Sequence, residues 1–336
     1  MPKQSFSIAS VEEYAKAGPK DLIEMQPVPG SNPLFLNKET IELVVYSITH
    51  HEFLHLSGPT GSAKTSLLEA LYLVPENFRS VCLALGMEDK PLRMFPVEMV
   101  TYETPGELRT RRALKDGATF DENSELVGAL CQAAGSNGCY NAIWLREFGR
   151  VHSSAVQGGL LDLMTKSDIF LPGGRRIDGR AIAWLADSNY QAEGESTHTL
   201  VTLDDALKRR FSINWTLGYL EPAQEVHVLE HEIRRRGLKR IEQPLILNVV
   251  NLGQKVRQRR TEGTLLSVPP PTIYGYLAFL LMCEGLPHHS LKTIAFATLL
   301  GNASSEDSKV GTAVFNEVFG LQSGSEEDPT QGGGIL

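Results

Sequence analysis

The chain is predicted to be an α/β protein: a parallel sheet sandwiched by helices, followed by an all-helical domain. Three observations carry this. Residues 53–71 run from an apolar stretch through a glycine turn into a helix with apolar residues at helical spacing. From there to about residue 217, apolar or β-branched stretches alternate with helical ones, the pattern of a sheet covered on both faces. After Pro222 helical periodicity continues with no strands between. The expected organisation is a leader over 1–33, a nucleotide-binding αβα domain over 34–221, a helical lid over 222–320 and a disordered tail over 321–336.

Taken in order, the leader reads as irregular, with one weak helix near Val11–Ala17. Asn37–Ile48 places Ile41, Val44, Val45 and Ile48 on one helical face. Phe53–Ser57 is the first strand. Asn77–Pro96 has no clear period, and Pro96–Glu103 has the alternation of a second strand. Pro105–Phe120, with Arg109, Arg111, Arg112 and Lys115, reads as exposed. Glu125–Ala134 is a helix, Cys139–Leu145 leads into a strand, and Ser153–Lys166 is amphipathic. Asp168–Asp178 is a hairpin turning at Gly173-Gly174. Arg180–Ala186 is a buried strand running into Asp187-Ser188-Asn189, with Asp204–Phe211 a short helix and Ser212–Leu217 a last strand. Trp144 and Trp184 are assigned to the sheet core. Gln224–Arg236, Pro244–Arg260, Thr272–Cys283, Ser290–Leu300 and Ser308–Phe319 are the helices of the second domain, and the Gly-, Ser- and acid-rich end is expected to be disordered.

Composition is that of an ordinary globular protein, and 336 residues allow one large and one smaller domain. A net charge of −8 argues against broad nucleic-acid coating. The four cysteines lack metal-ligand or disulfide spacing, and no signal core or 18-residue apolar run occurs, so a soluble cytoplasmic protein without membrane contact is expected.

The chemistry begins at Gly58-Pro59-Thr60-Gly61-Ser62-Ala63-Lys64-Thr65-Ser66. A glycine turn between strand and helix points backbone N–H groups at a polyphosphate, and the helix dipole favours the anion. Lys64 is the residue to reach the β- and γ-phosphates of ATP, and Thr65 the hydroxyl for Mg²⁺. The usual pattern has glycine directly before the lysine; here Ala63 stands there, a change expected to be mild.

The chain resembles the AAA+ ATPases over about 28–320, within them the MoxR type, close to CbbQ/NirQ-like and dynein-related modules. Four stretches in order carry this: Gly58–Thr65; Glu125–Leu130 leading to Trp144-Leu145-Arg146-Glu147-Phe148-Gly149-Arg150; Trp184–Asn189; and Leu203–Phe211. The resemblance implies that Glu147 polarises the attacking water, that Asn189 is the sensor beside it, and that Arg210 is a finger reaching a neighbouring subunit's site. A shared site of that kind requires a ring, expected to be a hexamer. Arg209 replaces the family's Asp, which leaves the choice of finger between Arg209 and Arg210 open. Each of Glu147, Asn189 and Arg210 also has an ordinary reading, as a surface carboxylate, a cap and a helix-end cation.

Two departures bear on turnover. Arg146 stands where the family has the Asp that holds the Mg²⁺ water shell, and Pro271 stands where it has the sensor-2 Arg. Both spare nucleotide binding more than hydrolysis. The resemblance implies a chaperone-like role on a protein partner, with a von Willebrand A domain protein or a metalloenzyme as the expected kind; a non-hydrolysing, ATP-stabilised scaffold is the alternative. Residues 168–178 and 105–120 match insertions that line a pore or touch substrate, and read equally as solvated loops.

Overall fold

A computed structural model describes residues 6–8, 10–115, 117–151, 153–189, 204–301 and 303–320. The tail expected over 321–336 lies outside the described residues. The rest forms two compact units, one up to Leu220 and one from Glu221 onward.

The first unit is built on five parallel strands: β1 (Phe53–Gly58), β2 (Leu92–Glu98), β3 (Tyr140–Arg146), β4 (Ile182–Asn189) and β5 (Ile213–Thr216). Their order is β5-β1-β4-β3-β2. Alternate residues serve opposite faces. Leu54, Leu56, Trp144 and Leu185 enter one core; Phe53, Ile143, Leu145, Trp184 and Ala186 enter the other. Helices α1 (Lys38–Thr49), α2 (Lys64–Leu73) and α3 (Pro75–Ala84) cover the first face, and α4 (Glu125–Ala134) and α5 (Ser154–Leu163) the second. The expected sheet sandwiched by helices is therefore present. Because β1, β3 and β4 run in parallel, their carboxyl ends gather on one edge, where ligands bind in open sheets of this kind.

Three expectations need correcting. Residues 6–37 are not an irregular leader. Phe6–Ser7, Leu22–Met25 and Leu34–Asn37 form a three-stranded sheet, and the helix Val11–Lys16 buries Tyr14. Ile8, Tyr14, Ile23 and Met25 join the core on the α1–α3 face, so this segment is part of the first unit's core. Residues 75–84 form a helix with Pro75 in its first turn and Phe78, Val81 and Cys82 inward. The second strand spans Leu92–Glu98, with Met99–Thr101 turning away as a 3₁₀ segment, where Pro96–Glu103 was expected. Pro96 sits inside it, which an edge strand tolerates because one side of its backbone needs no partner.

Both insertions are hairpins. Thr110–Lys115 pairs with Ala118–Asn123, and Asp168–Phe170 pairs with Arg176–Asp178 across the expected glycine turn. Arg109 donates to the Phe170 carbonyl at 3.0 Å and so ties one insertion to the other.

The second unit is all-helical among the described residues: α6 (Pro222–Arg236), α7 (Gln243–Thr261), α8 (Ile273–Gly285), α9 (Leu291–Thr298) and α10 (Ser305–Phe319). Leu229, Val249, Leu252, Phe279, Leu280 and Phe315 are central to its core. At its centre Arg257 pairs with Glu225 at 2.8 Å and donates to the Pro271 carbonyl, while Gln254 donates to the same carboxylate at 2.8 Å. Burial pushes the Glu225 carboxyl up, and the Arg257 cation opposes that shift.

Candidate functional site

The site is assembled where β1 ends. Gly58 has φ +152°, and a Cβ there would lie 2.1 Å from the Leu217 carbonyl oxygen just beyond β5. Only glycine lets the two backbones approach so closely. Tyr219 steadies the turn by donating its hydroxyl to the Thr60 carbonyl at 2.8 Å. Gly61 has φ +81°, and Ala63 has φ +70° and ψ +19° at the N-cap of α2. Ala63 is thus left-handed, a conformation that costs a residue with a Cβ about 1–2 kcal/mol. The departure from glycine is a point of stored strain, where a mild change was expected.

Lys64 and Thr65 open α2. The Lys64 side chain is buried, and its ammonium donates to the Gly58 and Pro59 carbonyls, each at 2.9 Å, and to the Ser62 hydroxyl at 3.3 Å. Burial pulls its pKa down to about 8, against the opposing charge of Asp187. Its three donors are thus all held by the loop itself. Thr65 donates its hydroxyl to Asp187 Oδ2 at 2.7 Å, and Trp144 donates its indole N–H to Asp187 Oδ1, also at 2.7 Å.

Asp187 was not among the expected site residues. It lies 4% exposed near the end of β4, opposite Leu56 of β1, and faces the core that α2 covers. A carboxylate inside the apolar stretch Ile182–Ala186-Asp187 was the available signal, since a buried charge must find partners.

The other expected residues are placed as follows. Asn189 pairs with Gly58 in the β4–β1 ladder, which brings it to the edge of the loop. Glu147 follows β3 directly, at the same carboxyl edge, with φ +52° and ψ +39°. Its carboxylate is exposed and paired with Arg150 at 3.0 Å. A glutamate in left-handed backbone is strained by about 1–3 kcal/mol, and such strain persists where surrounding structure enforces it. Arg209 and Arg210 lie exposed in the turn after the short helix Asp205–Lys208. Arg146 turns toward β2 and α2: it pairs with Glu98 at 2.9 Å and Glu69 at 3.5 Å and lies over the Trp144 ring at 4.9 Å. Its charge is thereby matched by two carboxylates.

Among the described residues, no three His, Cys, Asp or Glu side chains assemble as a metal centre. The donor set beside the loop is instead a hydroxyl and a carboxylate, Thr65 and Asp187. Hard oxygen donors of this kind suit Mg²⁺, which keeps several waters and takes its remaining ligands from phosphates. No helix among the described residues is long and apolar enough to cross a membrane.

No protein-family model matches the chain, and no curated protein matches it. Solved structures with a related outline include two of NtrX from Brucella abortus, one in complex with ATP and one with ADP. The first is 15% identical, covering 74% of this chain and 50% of that chain at a TM-score of 0.41. The second is 12% identical, covering 84% and 59% at a TM-score of 0.44. The chain thus spans 50% to 59% of the length of those NtrX chains, and no residue role follows from the likeness.

Proposed function

We propose that this protein is an ATP-binding AAA+ ATPase of the MoxR type, working as a ring that remodels or activates a partner protein. The observation that carries the reading is the loop itself: Gly58–Thr65 turns from the interior strand β1 into α2 with Lys64 and Thr65 at the helix start. Backbone N–H groups of this turn and the dipole of α2 favour a polyphosphate. On binding, Lys64 exchanges loop carbonyls for phosphate oxygens, and Thr65 offers its hydroxyl to the accompanying Mg²⁺. When bound, the cation neutralises charge on the β- and γ-phosphates. In this reading Glu147 takes a proton from the attacking water, once its carboxylate leaves Arg150, and Asn189 orients that water. Arg210, exposed and free to meet another subunit, stabilises charge on the γ-phosphoryl group; such fingers are worth about 10³–10⁵ in rate.

A second reading is favoured by one specific arrangement. Arg146 lies between Glu98 and Glu69 at the end of β3, where the resemblance implies a metal-holding carboxylate. This suits a scaffold that binds ATP to hold its assembly together and turns it over slowly. Steady-state ATPase measurements with Mg²⁺ on the wild type, Glu147→Gln and Arg146→Asp decide between them. The motor reading expects wild-type turnover that Glu147→Gln abolishes without loss of binding. A wild type as slow as Glu147→Gln, with Arg146→Asp faster, establishes the scaffold. Arg210→Ala with unaltered turnover would remove the shared site and, with it, the need for a ring.

A further inference from the structure

We propose that Asp187 supplies the carboxylate of the cation site, taking over from the end of β3 a role that Arg146 cannot perform. This inference rests on the ATP-binding reading above. The strand order carries it. β4 lies between β3 and β1, and the ladder pairs Ala186 with Leu145 and Asp187 with Leu56. One residue past the Ala186–Leu145 pair, Asp187 and Arg146 fall side by side on neighbouring strands. The carboxylate thus stands on the strand adjacent to the loop strand, and the guanidinium one strand further away.

Asp187 is also held as an outer-shell group is held. Trp144 fixes one carboxylate oxygen from below, and Thr65 occupies the other at 2.7 Å. A threonine hydroxyl has one proton and two lone pairs. Committing the proton to Asp187 leaves the lone pairs to face a cation, and the carboxylate makes the oxygen a better donor. Arg146 supports the arrangement from outside: it lies over Trp144 while Glu98 and Glu69 absorb its charge. Of the cations near this carboxylate, Lys64 gives its donors to Gly58, Pro59 and Ser62, and Arg146 is paired with Glu98 and Glu69.

The test is equilibrium binding of a fluorescent ATP analogue to the full chain, in excess Mg²⁺ and in EDTA, with Mn²⁺ binding in the presence of ATP read by electron paramagnetic resonance. Asp187→Asn keeps the volume and the acceptor for Trp144. The expected result is wild-type affinity that rises with Mg²⁺, and an Asp187→Asn variant that keeps its EDTA affinity while losing about 10–100-fold in cation affinity. Asp187→Ser, a smaller substitution that removes the charge and leaves Thr65 in place, is expected to show the same selective loss should Asp187→Asn fold poorly. An unchanged Mg²⁺ increment and Mn²⁺ affinity in either folded variant overturns the inference, as does a wild type that binds nucleotide without any Mg²⁺ increment. A wild type that binds no nucleotide in either condition overturns the ATP-binding reading itself.

Discussion

Replacing Gly58 by alanine sets a methyl group 2.1 Å from the Leu217 carbonyl oxygen, with φ fixed at +152°. That oxygen is backbone, so relief requires the end of β5 to move away by about 1 Å from β1, since ordinary contact lies above 3.4 Å. The Leu217 N–H to Ser57 carbonyl bond, 2.8 Å long, would be lost or stretched. Overpacking costs about 1–3 kcal/mol, the unfavourable backbone region about 1–3 kcal/mol, and the strained bond about 1 kcal/mol. A loss of about 3–5 kcal/mol is expected, since one backbone movement relieves part of each. The assay is available in the sequence: Trp144, Trp184 and Trp215 are the protein's three tryptophans, and all lie in the first unit. Tryptophan fluorescence during urea denaturation therefore reports that unit alone. With m of about 3 kcal/mol/M the midpoint should fall by about 1–1.7 M. A midpoint equal to that of the wild type would refute the close approach of β1 and β5 on which the loop geometry depends.

The remaining predictions follow from neighbouring groups. Ala63→Gly removes about 1–2 kcal/mol of left-handed strain and adds about 0.4–1 kcal/mol of unfolded-state entropy. The net change should lie between zero and a gain of about 1.6 kcal/mol; a net loss by the same urea assay would contradict the assigned backbone. Because Lys64 ionises near pH 8 in the free protein and a phosphate favours its charged form, ATP affinity should be full below pH 8 and decline as pH rises above it. An affinity that stays flat from pH 7 to 9.5 would exclude Lys64 as the phosphate ligand. Glu225→Ala removes the carboxylate that faces the buried Arg257 cation and should cost about 3–5 kcal/mol in the helical unit, read by hydrogen exchange of α7. Protection there equal to the wild type would remove the pair from the stability of that unit.

The parts of this fold that were legible were those with a local signal. The β1–loop–α2 passage, the α4 helix over Glu125–Ala134 and the Gly173-Gly174 hairpin each carry their period or turn chemistry within one short, continuous stretch of chain. The N-terminal sheet does not. Leu22–Met25 and Leu34–Asn37 are four residues each, too short to show alternation, and Pro27, Pro29 and Pro33 between them read as irregular chain. The site divides in the same way. Lys64 and Thr65 are named by their spacing, whereas Asp187 meets Thr65 across 122 positions, through strand order and register. The partners of Arg146 come from β2 and α2, and the left-handed backbone of Glu147 has no glycine or asparagine to announce it.

The central claim is that the turn before Lys64 holds a triphosphate. Isothermal titration of ATP with Mg²⁺ into the wild type and Lys64→Ala tests it most directly. Saturable binding by the wild type is predicted, weakened by Lys64→Ala by at least about tenfold, roughly 1.4 kcal/mol. Equal affinities in the two proteins, or no heat of binding from the folded wild type at millimolar ATP, would contradict it.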